Sequence, residues 1–157
     1  MSHVPREVVQ VDTVDLGDIY AFTAIDIYTR EIFVRIKSRL DAQSGKEVLQ
    51  ELINTWGKIE HVQRDGGPEF KKEWEECARQ FIPEIRTARP YKKNEQAYIE
   101  KLNRTLRDEC VGHWKYSQDD LLYVQEKVDE FVDYYHNKRP HLALNFATPS
   151  QFILCCI

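Results

Sequence analysis

Three carboxylates stand where they could do chemistry on phosphate esters. Asp12 interrupts V-V-Q-V-D-T-V, the most strongly β-forming run of the chain. Asp65 closes the run I-E-H-V-Q-R-D and is followed by Gly66, Gly67 and Pro68. Glu100 sits in a helical stretch beside an apolar stripe rather than on it. Hard cations such as Mg²⁺ or Mn²⁺ prefer carboxylate and water oxygens. Two of them about 3.5–4 Å apart hold a phosphodiester between them, one activating the attacking oxygen and the other stabilising the departing one.

Each acid alone has a simpler explanation. Asp12 fits a one-sided sheet facing solvent or an ion pair with an arginine, and Asp15 and Asp26 compete for its role. Asp65 also fits an Asp-Gly turn that merely ends a strand. In favour of a site, a carboxylate at the carboxyl end of a strand lies where open α/β sheets bind ligands. Glutamates on helix surfaces are common, so Glu100 carries little weight by itself.

The charge distribution adds a second line. The chain has net charge −4, yet residues 86–107 hold Arg86, Arg89, Lys92, Lys93, Lys101, Arg104 and Arg107 against Glu95 and Glu100 alone. A basic stripe in an acidic protein is the footprint that a phosphate backbone needs, although a solvated helix face has the same composition.

The elements that must position these residues follow from the pattern. Residues 7–15, 19–28 and 32–38 read as three strands joined by short turns, an antiparallel meander. Asp41 or Ser44 caps a helix with Val48, Leu49, Leu52, Ile53 and Trp56 on its apolar face, ended by Gly57. A short strand over 59–63 is followed by a helix over 68–81 with Trp74, Cys77, Ala78 and Phe81 inward, and Ile85 sits in a fifth strand. Residues 88–94 read as a mobile polar loop. Helices are expected from 95 to about 113, with Ile99, Leu102, Leu106 and Cys110 on one face, and from 118 to 137. The result is an α/β protein with a mixed five-stranded sheet flanked by helices.

Apolar residues make up 42% and charged residues 31% of 157 residues, which suits one folded core. No apolar run is long enough to cross a bilayer, and the chain reads as cytoplasmic. Cys77, Cys110, Cys155 and Cys156 form no C-x-x-C pair and read as reduced thiols. Pro140 breaks the register that would align His136 and His141 on a metal.

Five ordered motifs carry a resemblance. They are V-Q-V-D-T at 9–13, T-A-I-D-I-Y-T-R at 23–30, R-D-G-G-P-E-F at 64–70, Q-A-Y-I-E-K-L-N-R-T-L-R-D-E-C at 96–110, and a closing block at 134–152. Together they resemble the integrase core domain of bacterial insertion-sequence (DDE) transposases, relatives of retroviral integrases. The resemblance covers nearly the whole chain.

It implies an RNase H-like fold with Asp12, Asp65 and Glu100 as the catalytic and metal-binding acids, and it sets Asp26 outside the catalytic set. It also implies Mg²⁺ or Mn²⁺, as two ions, and DNA contacts from Lys92, Lys93, Lys101, Asn103, Arg104 and Arg107. The partners implied are element ends and target DNA, bound by a homodimer or higher oligomer in the bacterial nucleoid. Residues 1–157 are then one catalytic core without the upstream region that recognises ends. The 139–141 block is expected to pack the last helix onto the core, and the apolar tail at 152–157 to pack or to serve an interface. Gln96 departs from the family, standing where many relatives have Asn. The activity implied is 3′-end cleavage followed by strand transfer; the alternatives are a metal-dependent nuclease that never joins, and a DNA-binding remnant that neither cuts nor joins.

Overall fold

The computed structural model describes residues 2–89 and 94–156. β1 (Val8–Asp15), β2 (Tyr20–Asp26) and β3 (Ile32–Lys37) form the expected antiparallel meander. β4 (His61–Arg64) and β5 (Glu84–Thr87) add in parallel on the other side of β1, giving the order β3-β2-β1-β4-β5. The mixed five-stranded sheet is therefore present, with β1 at its centre. Asp26 stabilises the β2–β3 connection: its fully buried carboxylate accepts the backbone N–H groups of Arg6, Tyr28 and Thr29 and pairs with the Arg6 guanidinium at 2.9 Å. That structural duty accounts for an aspartate inside a strand without invoking catalysis.

Both sheet faces are covered, because alternate residues of the central strands are apolar on each side. Val14, Ala21, Ile25, Ile32, Val34 and Ile36 pack against α3 (Ala97–Leu106) and α4 (Leu121–Asn137). Val9, Val11, Phe22, Ala24, Phe33 and Val62 pack against α1 (Ala42–Trp56) and α2 (Glu73–Phe81). α1 starts where expected, with Asp41 accepting the Ser44 N–H at 2.8 Å, and stops at Gly57, whose φ of 79° suits glycine.

Three expectations change. The helix expected over 68–81 is divided: a 3₁₀ turn at Pro68–Phe70 precedes α2, and Lys72 between them takes φ 46°. The break turns Glu69 and Phe70 inward, and it leaves Phe81, expected inside, 54% exposed. The helix expected over 95–113 is α3 followed by a π-helical turn, Arg107–Val111, which ends at Gly112 with φ 67°. Finally, residues 149–156 form a further helix, α5 (Pro149–Cys156), whose Phe152 meets Tyr28 edge to face at 5.2 Å.

The 139–141 block does pack on α4. Arg139 pairs with Glu109 at 2.8 Å, and the His141 ring meets Tyr135 at 4.5 Å. His136 accepts the Ile32 N–H at 2.9 Å through Nε2, tying α4 to β3. The four cysteines are free thiols. Lys92, Lys93 and most of the loop expected over 88–94 lie outside the described residues.

Candidate active site

The parallel pairing of β1 with β4 sets the site. Val9 is level with Val62 and Gln10 with Gln63, and the same offset brings Asp12 level with Asp65. β4 ends at Arg64, so β1 continues past its neighbour and leaves an open notch beside Asp12. Asp65 borders that notch at the start of the glycine turn, where its Oδ1 accepts the Gly67 N–H at 2.8 Å. The two acids are 53 residues apart in sequence, yet adjacent strands of one sheet bring them together.

Asp12 lies on the face of β1 that meets α3, directly opposite Thr23 on β2. Asn103 on α3 donates its Nδ2 to Asp12 Oδ2 at 2.9 Å, and Thr23 donates its hydroxyl to Asn103 Oδ1 at 2.8 Å. Burial pushes the Asp12 carboxyl up to about 6; the like charges of Asp65, Glu69 and Glu100 push the same way, against a hydrogen bond from the Thr13 backbone. The other two acids named from the sequence are therefore both felt at Asp12.

Glu100 is exposed in the first turn of α3, three residues before Asn103 and so on the same helix face. Arg104 is exposed one residue beyond Asn103. Arg107 is half-buried and donates to the Asp15 carbonyl at 2.6 Å. Lys101 is turned away from Asp12, into a groove shared with Tyr98, Thr105, Arg139 and His141. Asp65, Glu100 and Asn103 thus lie near Asp12, Arg107 reaches the end of β1, Arg104 is exposed on α3, and Lys101 lines the groove on the other flank of α3.

Several residues besides the three acids shape the site. Gln10, 3% exposed, accepts the Ile99 N–H at 2.9 Å and donates to Gln63 Oε1 at 2.9 Å and the Glu95 carbonyl at 3.1 Å, pinning the start of α3 to β1 and β4. Gln96, buried at the head of α3, donates to the Val11 carbonyl at 3.1 Å, and its Oε1 has no partner among the described residues. Glu69 accepts the Thr13 hydroxyl at 2.8 Å on the α1 and α2 side. Gln96 stood out in the sequence only by its departure from the family, and the period-two placement of Gln10 and Asp12 on one face of β1 is the one local trace of Gln10.

Among the described residues no three His, Cys, Asp or Glu side chains stand arranged to hold one metal ion. The donor set nonetheless suits one: burial, and then the like charges of its neighbours, raise Asp12, and no cation pairs with Asp12 among the described residues.

Comparison with known proteins points in the same direction. Two family models, both described as "Integrase core domain", match residues 2–93 and 83–149. An uncharacterized 31.7 kDa protein of insertion element IS407 from Burkholderia multivorans is 26% identical over 140 residues, covering 85% of this chain and 48% of its own length. A 39.2 kDa protein of insertion element IS476 from Xanthomonas euvesicatoria is 27% identical over 137 residues, covering 85% and 39%. The chain thus spans less than half the length of either relative.

Among solved structures, the catalytic core of BIV integrase has a TM-score of 0.75 at 19% identity, covering 95% of this chain and 94% of that one. The HTLV-2 integrase catalytic core in complex with magnesium, in dimeric form, has a TM-score of 0.75 at 14% identity, covering 97% and 99%. A simian T-cell lymphotropic virus intasome chain reaches 0.77 at 16% identity, covering 96% and 55%. At these identities the likeness is one of fold, and the fold is that of the RNase H-like integrase cores.

Proposed function

Since the chain belongs to the integrase core domain family, we propose that it is the catalytic core of a DDE transposase, cutting and joining DNA at Asp12, Asp65 and Glu100. The observation that carries this reading is the placement of Asp12 level with Asp65 at the open end of the sheet, within the electrostatic reach of Glu100.

In the proposed reaction, water and then a freed 3′-hydroxyl attack phosphorus in line. One P–O bond forms as the opposite one breaks, with no covalent bond to the protein. Mg²⁺ or Mn²⁺, as two ions, supplies Lewis acidity to the attacked phosphate when bound. Asp12 and Asp65 hold that site from two strands and Glu100 closes it from α3. Asn103 fixes the Asp12 carboxylate, so that acid is oriented before DNA arrives. Arg104 and Arg107, with Lys92, Lys93 and Lys101, engage DNA phosphates, which makes binding salt-sensitive and nearly indifferent to sequence. Two ends must be held together, so the working form is a dimer or larger assembly on DNA in the bacterial cytoplasm.

The test uses full-length protein, labelled DNA carrying the ends of its own element, and Mg²⁺ or Mn²⁺. Joined products that vanish in Asp65→Asn and Glu100→Gln are expected. Cutting without joining would mark a nuclease, and binding without either would mark an inactive remnant. Variants as active as the parent would overturn the site.

A further inference from the structure

Glu69 is an acid that the three-carboxylate site does not use. Its side chain is 3% exposed, and among the described residues it makes no ion pair. Thr13, whose hydroxyl lies 2.8 Å from Oε1, is its one hydrogen-bond donor there. A carboxylate in that state is costly unless a positive charge comes close to it.

The surroundings show where such a charge would sit. The 3₁₀ turn after Pro68 folds Glu69 back over Gly67, so that a Cβ at residue 67 would lie 2.6 Å from Oε2 and 2.8 Å from Oε1. Only glycine permits that approach. The Gly67 N–H in turn holds Asp65, while Thr13 is the residue after Asp12 on β1. Glu69 therefore touches both halves of the notch, the turn that carries Asp65 and the strand that carries Asp12. Its charge is also felt at Asp12. Lys71 and Lys72, the nearest cations in sequence, are exposed and make no ion pair with Glu69 among the described residues, and Arg64 is committed elsewhere, to the Phe70 carbonyl and to Glu75.

We propose that Glu69 is a positioning residue of the metal centre: through Thr13 and Gly67 it locks the two acid-bearing segments together, and its buried charge raises the affinity of Asp12 and Asp65 for a divalent cation. The proposal rests on the catalytic reading above. Glu69 need not touch DNA or the reacting atoms. Outer partners that orient metal-binding side chains typically change metal affinity about 10–100-fold when removed.

The test is Mn²⁺ titration of the chain by calorimetry, with thermal unfolding of each variant alongside. Glu69→Gln keeps the size and the acceptor for Thr13 but removes the charge. It is expected to weaken Mn²⁺ binding about 10–100-fold while the protein stays folded. Glu69→Asp, which keeps the charge, is expected to recover part of that loss, an outcome that a purely packing role would not produce. Thr13→Val frees the carboxylate without removing it and is expected to weaken Mn²⁺ in the same direction; it carries the test if Glu69→Gln does not fold. If Asp65→Asn abolishes binding while Glu69→Gln or Thr13→Val binds like the parent, the Glu69 assignment falls and the catalytic reading stands. If the parent binds no Mn²⁺, or Asp65→Asn binds it equally well, both fall.

Discussion

Asn103 Nδ2 lies 2.9 Å from Asp12 Oδ2, so the helix that carries Glu100 is hydrogen-bonded directly to the Asp12 carboxylate. The same amide receives the Thr23 hydroxyl through its oxygen, which settles which way the amide points. A residue that the family resemblance suggested for DNA contact is thereby engaged with Asp12, an acid proposed as catalytic.

Removing that bond should cost activity more than stability. Asn103→Ala is expected to lower the joining rate about 10–100-fold, because the carboxylate loses its orientation. The fold should lose about 1 kcal/mol, the ordinary worth of a part-buried hydrogen bond. Single-turnover joining and urea unfolding measure the two. A joining rate equal to the parent's would show that Asp12 is held by other means.

Asp12 should make stability depend on pH in a definite direction. Its folded value of about 6 lies above the ordinary 3.8. Between those values the folded chain binds a proton that the unfolded chain does not, so stability falls as pH rises through the window. In EDTA at pH 8, Asp12→Asn should therefore be more stable than the parent by about 1–2 kcal/mol, a figure reduced for partial solvent screening. The advantage should shrink as pH falls through 6 and vanish below the unfolded value. Thermal melts at several pH values test this, and a variant that is less stable than the parent at pH 8 contradicts it.

Gln10 predicts a larger structural effect. Gln10→Leu orphans the Ile99 N–H and the Gln63 side chain in a buried setting, and about 2–3 kcal/mol of stability should be lost. Hydrogen exchange at the start of α3 should quicken more than in α1. Equal protection of the two helices would mean that Gln10 does not pin α3.

The glycine turn offers a matched pair. Gly66→Ala meets nothing within 4 Å and should change stability by less than about 0.5 kcal/mol. Gly67→Ala drives a methyl group into the Glu69 carboxylate and should cost about 1–3 kcal/mol. Equal melting temperatures for the two variants would contradict the packing of Glu69 over the turn.

What was legible beforehand follows a physical divide. The strands and α1 declare themselves through local signals: β-branched runs, the Asp41 cap and the Gly57 stop. The levelling of Asp12 with Asp65 does not, since it depends on the register of two strands separated in sequence by β2, β3 and α1. Glu100 looks like any surface glutamate, and only the motif around it singled it out. The roles of Gln10 and Glu69 could not be read locally, because their partners lie 89 and 56 residues away. The break at Lys72 escaped as well: the apolar spacing of Trp74, Cys77 and Ala78 continues smoothly back to Phe70, so periodicity favours one helix where the chain makes two.

The metal centre is tested most directly by anomalous diffraction from crystals of this chain soaked in Mn²⁺. An anomalous peak between the Asp12 and Asp65 carboxylates, lost in Asp65→Asn, is the expected result. A peak elsewhere, or none at a concentration that supports joining of DNA, would contradict the assignment of these acids as the catalytic centre.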